Sequence, residues 1–138
     1  MKTQGIQTPN APAAVGPYSQ AVRHGPWLFL SGQIALPPAH TTTGGAPPKL
    51  VSDDVARQTD QVLDNLQAVL QAAGADFSSV VKVTIYLTDI KDFGVVNERY
   101  AQRVGSPPPA RATVAVLALP LGARVEIDAI CALPDAQG

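Results

Sequence analysis

The chain has 138 residues, of which 46% are hydrophobic and 15% charged, and its formal net charge is −1. These values predict one domain, residues 1–138, with a buried core, and they exclude an intrinsically disordered chain. The sequence also has no cluster of cationic residues of the kind that binds a nucleic acid. A single cysteine (Cys131), a polar N-terminus and no apolar run long enough to span a bilayer predict a cytoplasmic protein without disulfides.

The first third of the chain predicts an arm, a hairpin and a loop. Residues 5–19 are rich in Pro, Gly and Ala and are interpreted as an ordered or semi-ordered arm. Two short strands are expected at residues 19–24 and 27–33, with Gly25-Pro26 as the turn between them. Residues 37–49 predict a loop from their composition.

The middle of the chain predicts a helix followed by a strand. Ser52 is the expected N-cap, and apolar residues then recur at helical spacing until Gly74 ends the helix. In residues 80–87, Val81, Val83, Ile85 and Leu87 alternate with polar side chains, which predicts a strand.

The last third predicts a second helix and two strands. The helix is expected over residues 92–104, with Phe93, Val96, Tyr100 and Val104 in its buried face. Strands are expected at residues 110–119 and 123–133, joined as a hairpin around Pro120. The predicted order is therefore β-β-α-β-α-β-β.

Two helices are too few to cover both faces of such a sheet. Both are expected on one face, because the two crossovers should have the same hand. The last two strands nevertheless carry apolar residues on both sides, so the uncovered face needs a partner. The sequence therefore predicts a homo-oligomer, for which closed symmetry is usual.

Arg111, near the start of the fourth predicted strand, is the first candidate for a functional residue. In the expected hairpin it comes close to Glu126, and two interpretations remain open. The pair is either a structural ion pair or part of a site that grips a planar carboxylate through the two parallel hydrogen bonds of the guanidinium.

Three further polar residues are weaker candidates. Tyr18, in GPYSQ, is either a packed aromatic in a turn or a residue that lines a cleft. Ser31, in SGQ, lacks the spacing of a nucleophile elbow and is expected to be a hydrogen-bonding group. Asn97 lies mid-helix, where an amide usually faces solvent. His24 and His40 do not have the spacing of a metal site, and no phosphate-binding loop is present.

Five segments in register, NAPAAVGPYSQAV, SGQIAL, FGVVNERY, PPARATV and VEIDAI, resemble the Rid (reactive intermediate deaminase, or YjgF) family. The resemblance implies a chorismate-mutase-like α+β fold, with one mixed sheet and two helices on one face, and a homotrimer with a cleft at each subunit interface. Members of the RidA branch hydrolyse 2-aminoacrylate (2-iminopropanoate) and 2-iminobutanoate to 2-keto acids and ammonia, without a metal or organic cofactor.

The resemblance also implies roles for six residues. Arg111 binds the substrate carboxylate, Glu126 orients or deprotonates the attacking water, and the backbone carbonyl of Thr113 accepts a hydrogen bond from the substrate nitrogen. The cleft is completed by Tyr18, Ser31 and Asn97. The chain departs from the family in having threonine at position 113, where many members have cysteine, and in a longer loop at 37–49.

Two other classes of function stay open. A non-catalytic sensor could bind 2-keto acids or similar small carboxylates in the same cleft. Members of the family have also been described as ribonucleases or translation inhibitors, but the nearly neutral chain has no basic patch with interleaved aromatic residues.

Overall fold

The computed structural model describes residues 2–42 and 44–134, which form a single mixed sheet with two α-helices. Within these residues the elements, in chain order, are β1 (Thr3–Ile6), β2 (Ala21–His24), β3 (Trp27–Gln33), α1 (Val55–Ala72), β4 (Val80–Leu87), α2 (Phe93–Ala101), β5 (Ala110–Ala115) and β6 (Val125–Ala132). Their order across the sheet is β1-β2-β3-β6-β4-β5, and only the pairing of β4 with β5 is parallel. The α+β class is therefore confirmed.

Strand β1 was not predicted, because residues 5–19 were assigned to an arm. Its sequence, TQGI, has no apolar alternation, and most of it is exposed. Backbone pairing with β2 holds it at the edge of the sheet, where Thr3 lies opposite His24 and Ile6 opposite Ala21. An edge strand of this kind buries little side-chain area and so leaves no hydrophobic pattern to read.

Helix α1 packs its apolar face on the centre of the sheet and forms much of the core. Leu63 and Leu70 on this face are fully buried. Asp54 is the N-cap, since its side chain accepts a hydrogen bond from the Arg57 amide at 3.0 Å, so the prediction of Ser52 as the cap was wrong. The predicted end at Gly74 is confirmed: this glycine has a φ of +76°, which closes a Schellman turn.

The predicted hairpin of the last two strands does not form. Strand β5 pairs in parallel with β4, as a strand that follows a crossover helix does, while β6 pairs antiparallel with the other side of β4. Strand β4 therefore separates β5 from β6. The crossover helix α2 is also shorter than predicted, and Phe93 at its start remains 37% exposed instead of joining the core.

The two faces of the sheet differ in what covers them. Val83, Ile85 and Ile127 point into the core beneath the helices. The opposite face leaves Trp27 and Phe29 44% and 46% exposed, and no helix of the described residues covers it. This agrees with the expected uncovered face.

The pairing of β4 with β6 contains one irregularity, and a buried thiol lies beside it. An irregularity between Val80 and Lys82 buries Val80 opposite Cys131 and leaves Val81 42% exposed, so the prediction that Val81 faces the same way as Val83 was wrong. Burial raises the pKa of the Cys131 thiol to about 12, which makes it a packing residue.

The predicted loop at 37–49 contains one short 3-10 turn, Ala39–Thr41, and Thr43 lies outside the described residues. In the parts of the chain that the structure describes, no helix has both the length and the apolar character needed to cross a membrane.

Candidate functional site

Arg111 lies on the outer strand β5 and points toward the helix side of the sheet. Its partner in the parallel ladder is Val83, a core residue on that side. The guanidinium donates from Nη1 to Oδ1 of Asn97 at 2.7 Å, and its Cζ lies 5.6 Å from the ring centroid of Phe93 and 5.2 Å from that of Tyr100. One amide and two aromatic faces of α2 therefore fix the orientation of this cation.

In the part of the chain that the structure describes, no carboxylate neutralises the charge of Arg111. Within the described residues, no Asp or Glu oxygen comes within 4.0 Å of its guanidinium, whose partner is the neutral amide of Asn97. Three other arginines each pair with an aspartate, in the pairs Arg99–Asp60, Arg103–Asp64 and Arg124–Asp92. The Arg111 guanidinium thus retains N–H donors and a positive charge with which it can bind an anion.

A cavity of about 390 Å³ opens beside Arg111, between α2 and the proline-rich segment that leads into β5. Asn97 and Tyr100 contribute to its wall. The buried hydroxyls of Tyr100 and Thr113 have no hydrogen-bond partner among the described residues. Burial raises the pKa of Tyr100, against the opposite effect of the Arg111 charge. Among residues 2–42 and 44–134, this side of the sheet therefore combines a cation without a carboxylate partner and two buried hydroxyls without a hydrogen-bond partner.

Glu126 lies on β6 and points to the opposite, uncovered face. Its ladder partner is Tyr86, and the neighbouring Val125 and Ile127 point into the core. A cavity of about 580 Å³ adjoins Glu126. Its wall also includes Tyr18, Ser31 and the loop around Pro47, together with other residues of the arm and of the turn before β6.

The carboxyl group of Glu126 is partly desolvated. Burial raises its pKa, and the nearby negative charge of Asp128 raises it further. The Tyr86 hydroxyl donates to Oδ2 of Asp128 at 2.9 Å, and this hydrogen bond raises the pKa of Tyr86. A carboxylate with a raised pKa is a better proton acceptor near neutral pH than an ordinary one.

Tyr18 and Ser31 lie on the Glu126 side. The Ser31 hydroxyl donates to the Ser19 carbonyl at 2.6 Å, which agrees with the interpretation of Ser31 as a hydrogen-bonding group. Tyr18 is 52% exposed, and its hydroxyl accepts a weak hydrogen bond from the Val15 amide at 3.4 Å. Tyr18 therefore lies along the cavity that adjoins Glu126.

The structure separates the predicted site residues into two groups. Arg111, Asn97 and Thr113 lie on the helix side of the sheet, whereas Tyr18, Ser31 and Glu126 lie elsewhere, along a different cavity. An ion pair between Arg111 and Glu126 within one chain was one of the two interpretations, and it was wrong because β4 separates their strands.

Comparison with known proteins identifies the family. A family model described as Endoribonuclease L-PSP matches residues 8–133. A crystal structure from Yersinia pestis, titled as a protein of unknown function of the conserved Rid protein family, superposes with a TM-score of 0.87 at 44% identity and covers 96% of this chain and 100% of that one. The chain belongs to the Rid family.

Curated Rid relatives are similar over most of the chain. Protein DfrA of Myxococcus xanthus is 52% identical, covering 94% of this chain and 95% of its own. Reactive Intermediate Deaminase A, chloroplastic, of Arabidopsis thaliana is 50% identical, covering 96% of this chain and 67% of its own. The human 2-iminobutanoate/2-iminopropanoate deaminase is 47% identical, covering 91% of this chain and 86% of its own.

The two aromatic residues whose rings contact the Arg111 guanidinium were not predicted as site residues. Phe93 and Tyr100 were assigned to the core, although Phe93, Asn97 and Tyr100 have the i, i+4, i+7 spacing of one helix face. That spacing was the signal in the sequence. Asp128 and Tyr86, whose pairing depends on the register of β6 against β4, left no comparable signal.

Proposed function

We propose that this Rid protein is a deaminase that hydrolyses small enamine and imine carboxylates, 2-aminoacrylate (2-iminopropanoate) and 2-iminobutanoate, to 2-keto acids and ammonia. The observation that carries the proposal is the Arg111 guanidinium, oriented by an amide and two aromatic rings and left without a carboxylate partner among the described residues. Deaminase activity on a C=N bond is also what two of the similar curated proteins are named for.

In the proposed reaction, Arg111 grips the substrate carboxylate and thereby fixes the position of the C=N carbon. Water adds to that carbon, Glu126 takes a proton from the water, and the C=N electron pair moves to the nitrogen. The protonated Glu126 then passes this proton to the nitrogen of the carbinolamine. The hydroxyl group releases its own proton to solvent as the C=O bond forms and the C–N bond breaks, which leaves a 2-keto acid and ammonia. Tyr18 and Ser31 hold the bound species or the water, and the Thr113 carbonyl accepts a hydrogen bond from the nitrogen.

This reaction needs Arg111 and Glu126 in one cleft, but in a single chain they face opposite sides of the sheet. We therefore propose that each cleft is composite, with Arg111 from one subunit and Glu126 from the next, in a closed homotrimer. Exposed apolar residues support such a contact. Val15 and Leu121, on the wall of the Glu126 cavity, are 77% and 64% exposed, and the nearby Leu117 is fully exposed.

The experiment generates the imine beside the protein with a serine or threonine dehydratase and follows imine decay, 2-keto acid and ammonia. The parent protein is expected to accelerate decay, and Arg111→Ala to lose about a hundredfold or more in kcat/KM, since two charge-assisted hydrogen bonds disappear. Arg99→Ala, which removes another partly exposed arginine, on α2 itself, is the matched control and should retain activity.

The outcomes separate the classes of function. A parent protein that binds 2-keto acids in a thermal-shift assay but does not accelerate imine decay would be a sensor. RNA cleavage that persists through purification and disappears in Arg111→Ala would instead support the activity in the description of the matching family model. A cytoplasmic location stays a prediction.

A further inference from the structure

Gly32 lies under the carboxyl end of Glu126. A Cβ built on Gly32 would lie 2.9 Å from Cδ and 3.1 Å from Cγ of Glu126, and closer still to Oε2. Carbon atoms in contact prefer separations of about 3.5–4.0 Å, so an alanine and the present Glu126 position exclude each other. The space that a side chain would fill at position 32 is occupied by the carboxyl group.

A bulge in β3 produces this contact. Leu30 pairs with Ala129 and Gln33 with Ile127, so β3 has one more residue than β6 between the two pairs. The extra residue lies in the Ser31-Gly32 step, where the Ser31 amide donates to the carbonyl of Gln20, the residue just before the neighbouring strand β2. Such bulges re-aim the backbone locally. Here the bulge lets the backbone of Gly32 approach the Glu126 side chain.

The backbone itself does not require glycine at this position. Gly32 is not among the glycines of positive φ, such as Gly16 and Gly25, so an alanine fits its conformation. In a strand, replacing glycine by alanine reduces the entropy lost on folding. The nearest obstacle to alanine at position 32 is the Glu126 side chain, which supplies all three of the nearest atoms.

We propose that Gly32 is a positioning residue for Glu126: its missing side chain lets the Glu126 carboxyl lie against β3, where it faces the cavity shared with Tyr18 and Ser31. This inference rests on the proposed role of Glu126 as the base. Gly32→Ala would leave the fold intact, because Glu126 is a flexible side chain that can swing away, and would move the carboxylate from the attacking water.

A double-mutant cycle tests the proposal through imine hydrolysis. In the parent background, Gly32→Ala should lower kcat about ten- to hundredfold with little change in KM, because the base is misplaced. In the Glu126→Gln background the same change should alter kcat less than about twofold, since its target is gone. Gly94→Ala is the matched control, because a Cβ on Gly94 meets nothing within 4 Å.

The outcomes separate this inference from the proposed function. The positioning role alone would be overturned if Gly32→Ala lowered kcat by the same factor in both backgrounds. It would also be overturned if Gly32→Ala were as active as the parent while Glu126→Gln was slow. A Glu126→Gln protein as fast as the parent would overturn the base and this role together. Carbon-13 NMR of the Glu126 carboxyl provides a readout without substrate: its chemical shift and titration should change in Gly32→Ala, and unchanged values would contradict the proposal.

Discussion

Arg111 and Glu126 lie on opposite faces of one sheet, with β4 between their strands. Each has its own cavity and its own set of polar neighbours. One chain therefore carries two half-sites, one that can hold an anion and one that can accept a proton. A cleft that uses both needs a second copy of the chain.

We expect Asn97 to support substrate binding in two ways, because its side chain hydrogen-bonds to Arg111 and because it is uncharged. Asn97→Asp keeps the shape but gives Arg111 a carboxylate partner in place of the amide at 2.7 Å. The guanidinium would then be neutralised, and KM for the imine should rise about tenfold, because the substrate carboxylate must compete with the new ion pair. Steady-state kinetics measure this, and a KM equal to that of the parent would argue against Arg111 as the carboxylate clamp. Asn97→Ala, which removes the amide without adding charge, should raise KM less.

The pH profile should report the environment of Glu126. Its pKa is raised by burial and by Asp128, and the base must be deprotonated, so kcat/KM should fall as the pH drops through this raised pKa. Asp128→Asn removes the neighbouring negative charge, so the pKa of Glu126 should fall and the acidic limb of the profile should move to lower pH. A limb that stays in place, or moves to higher pH, would show that another group sets it.

Arg124 should contribute more to stability than Arg99 does. Arg124 donates twice to Asp92, at 2.9 and 3.0 Å, and the Asp92 side chain is only 12% exposed. Arg124→Ala leaves that carboxylate without its cation and should lower the free energy of unfolding by about 1–3 kcal/mol. Arg99→Ala breaks an exposed pair with Asp60 and should cost about 0.5 kcal/mol or less. Urea denaturation measures both, and equal losses would contradict this ranking.

Asn65 should support the wall of the Glu126 cavity. This fully buried amide donates to the carbonyls of Ile34 and Leu36, both of which line the cavity. Asn65→Leu removes both hydrogen bonds and leaves the Leu36 carbonyl without this donor, while the Ile34 carbonyl still accepts from the Leu36 amide. The free energy of unfolding should fall by about 1–3 kcal/mol. Gln71→Leu, at an exposed position of the same helix, is the control and should change stability by about 0.5 kcal/mol or less. Similar urea midpoints for the two variants would refute the role of Asn65.

The sequence was most informative where side-chain burial repeats along the chain. The periodicities of α1 and β4 predicted these elements almost to the residue, and the glycine that ends α1 was identified by its position. Strand β1 was missed because backbone pairing at a sheet edge needs no apolar pattern. The expected hairpin after β5 was wrong because strand order depends on long-range pairing, which local patterns do not encode.

The candidate site was predicted only in part for a related reason. The motifs identified Arg111, Glu126 and Tyr18, but the faces on which they lie depend on the register of β5 and β6 against β4. The aromatic rings beneath Arg111 follow from helical spacing, whereas the contact between Gly32 and Glu126 depends on one extra residue in β3. A one-residue bulge of this kind has no signature in the pattern of apolar residues.

The composite cleft is tested most directly by combining two inactive variants. Arg111→Ala and Glu126→Gln chains, co-expressed with different tags and purified as mixed oligomers, each carry one intact half-site. If every cleft takes Arg111 from one subunit and Glu126 from the next, each mixed trimer has one intact cleft of three, so about a third of the parent activity should return. Mixed oligomers as inactive as the two separate variants would contradict the account.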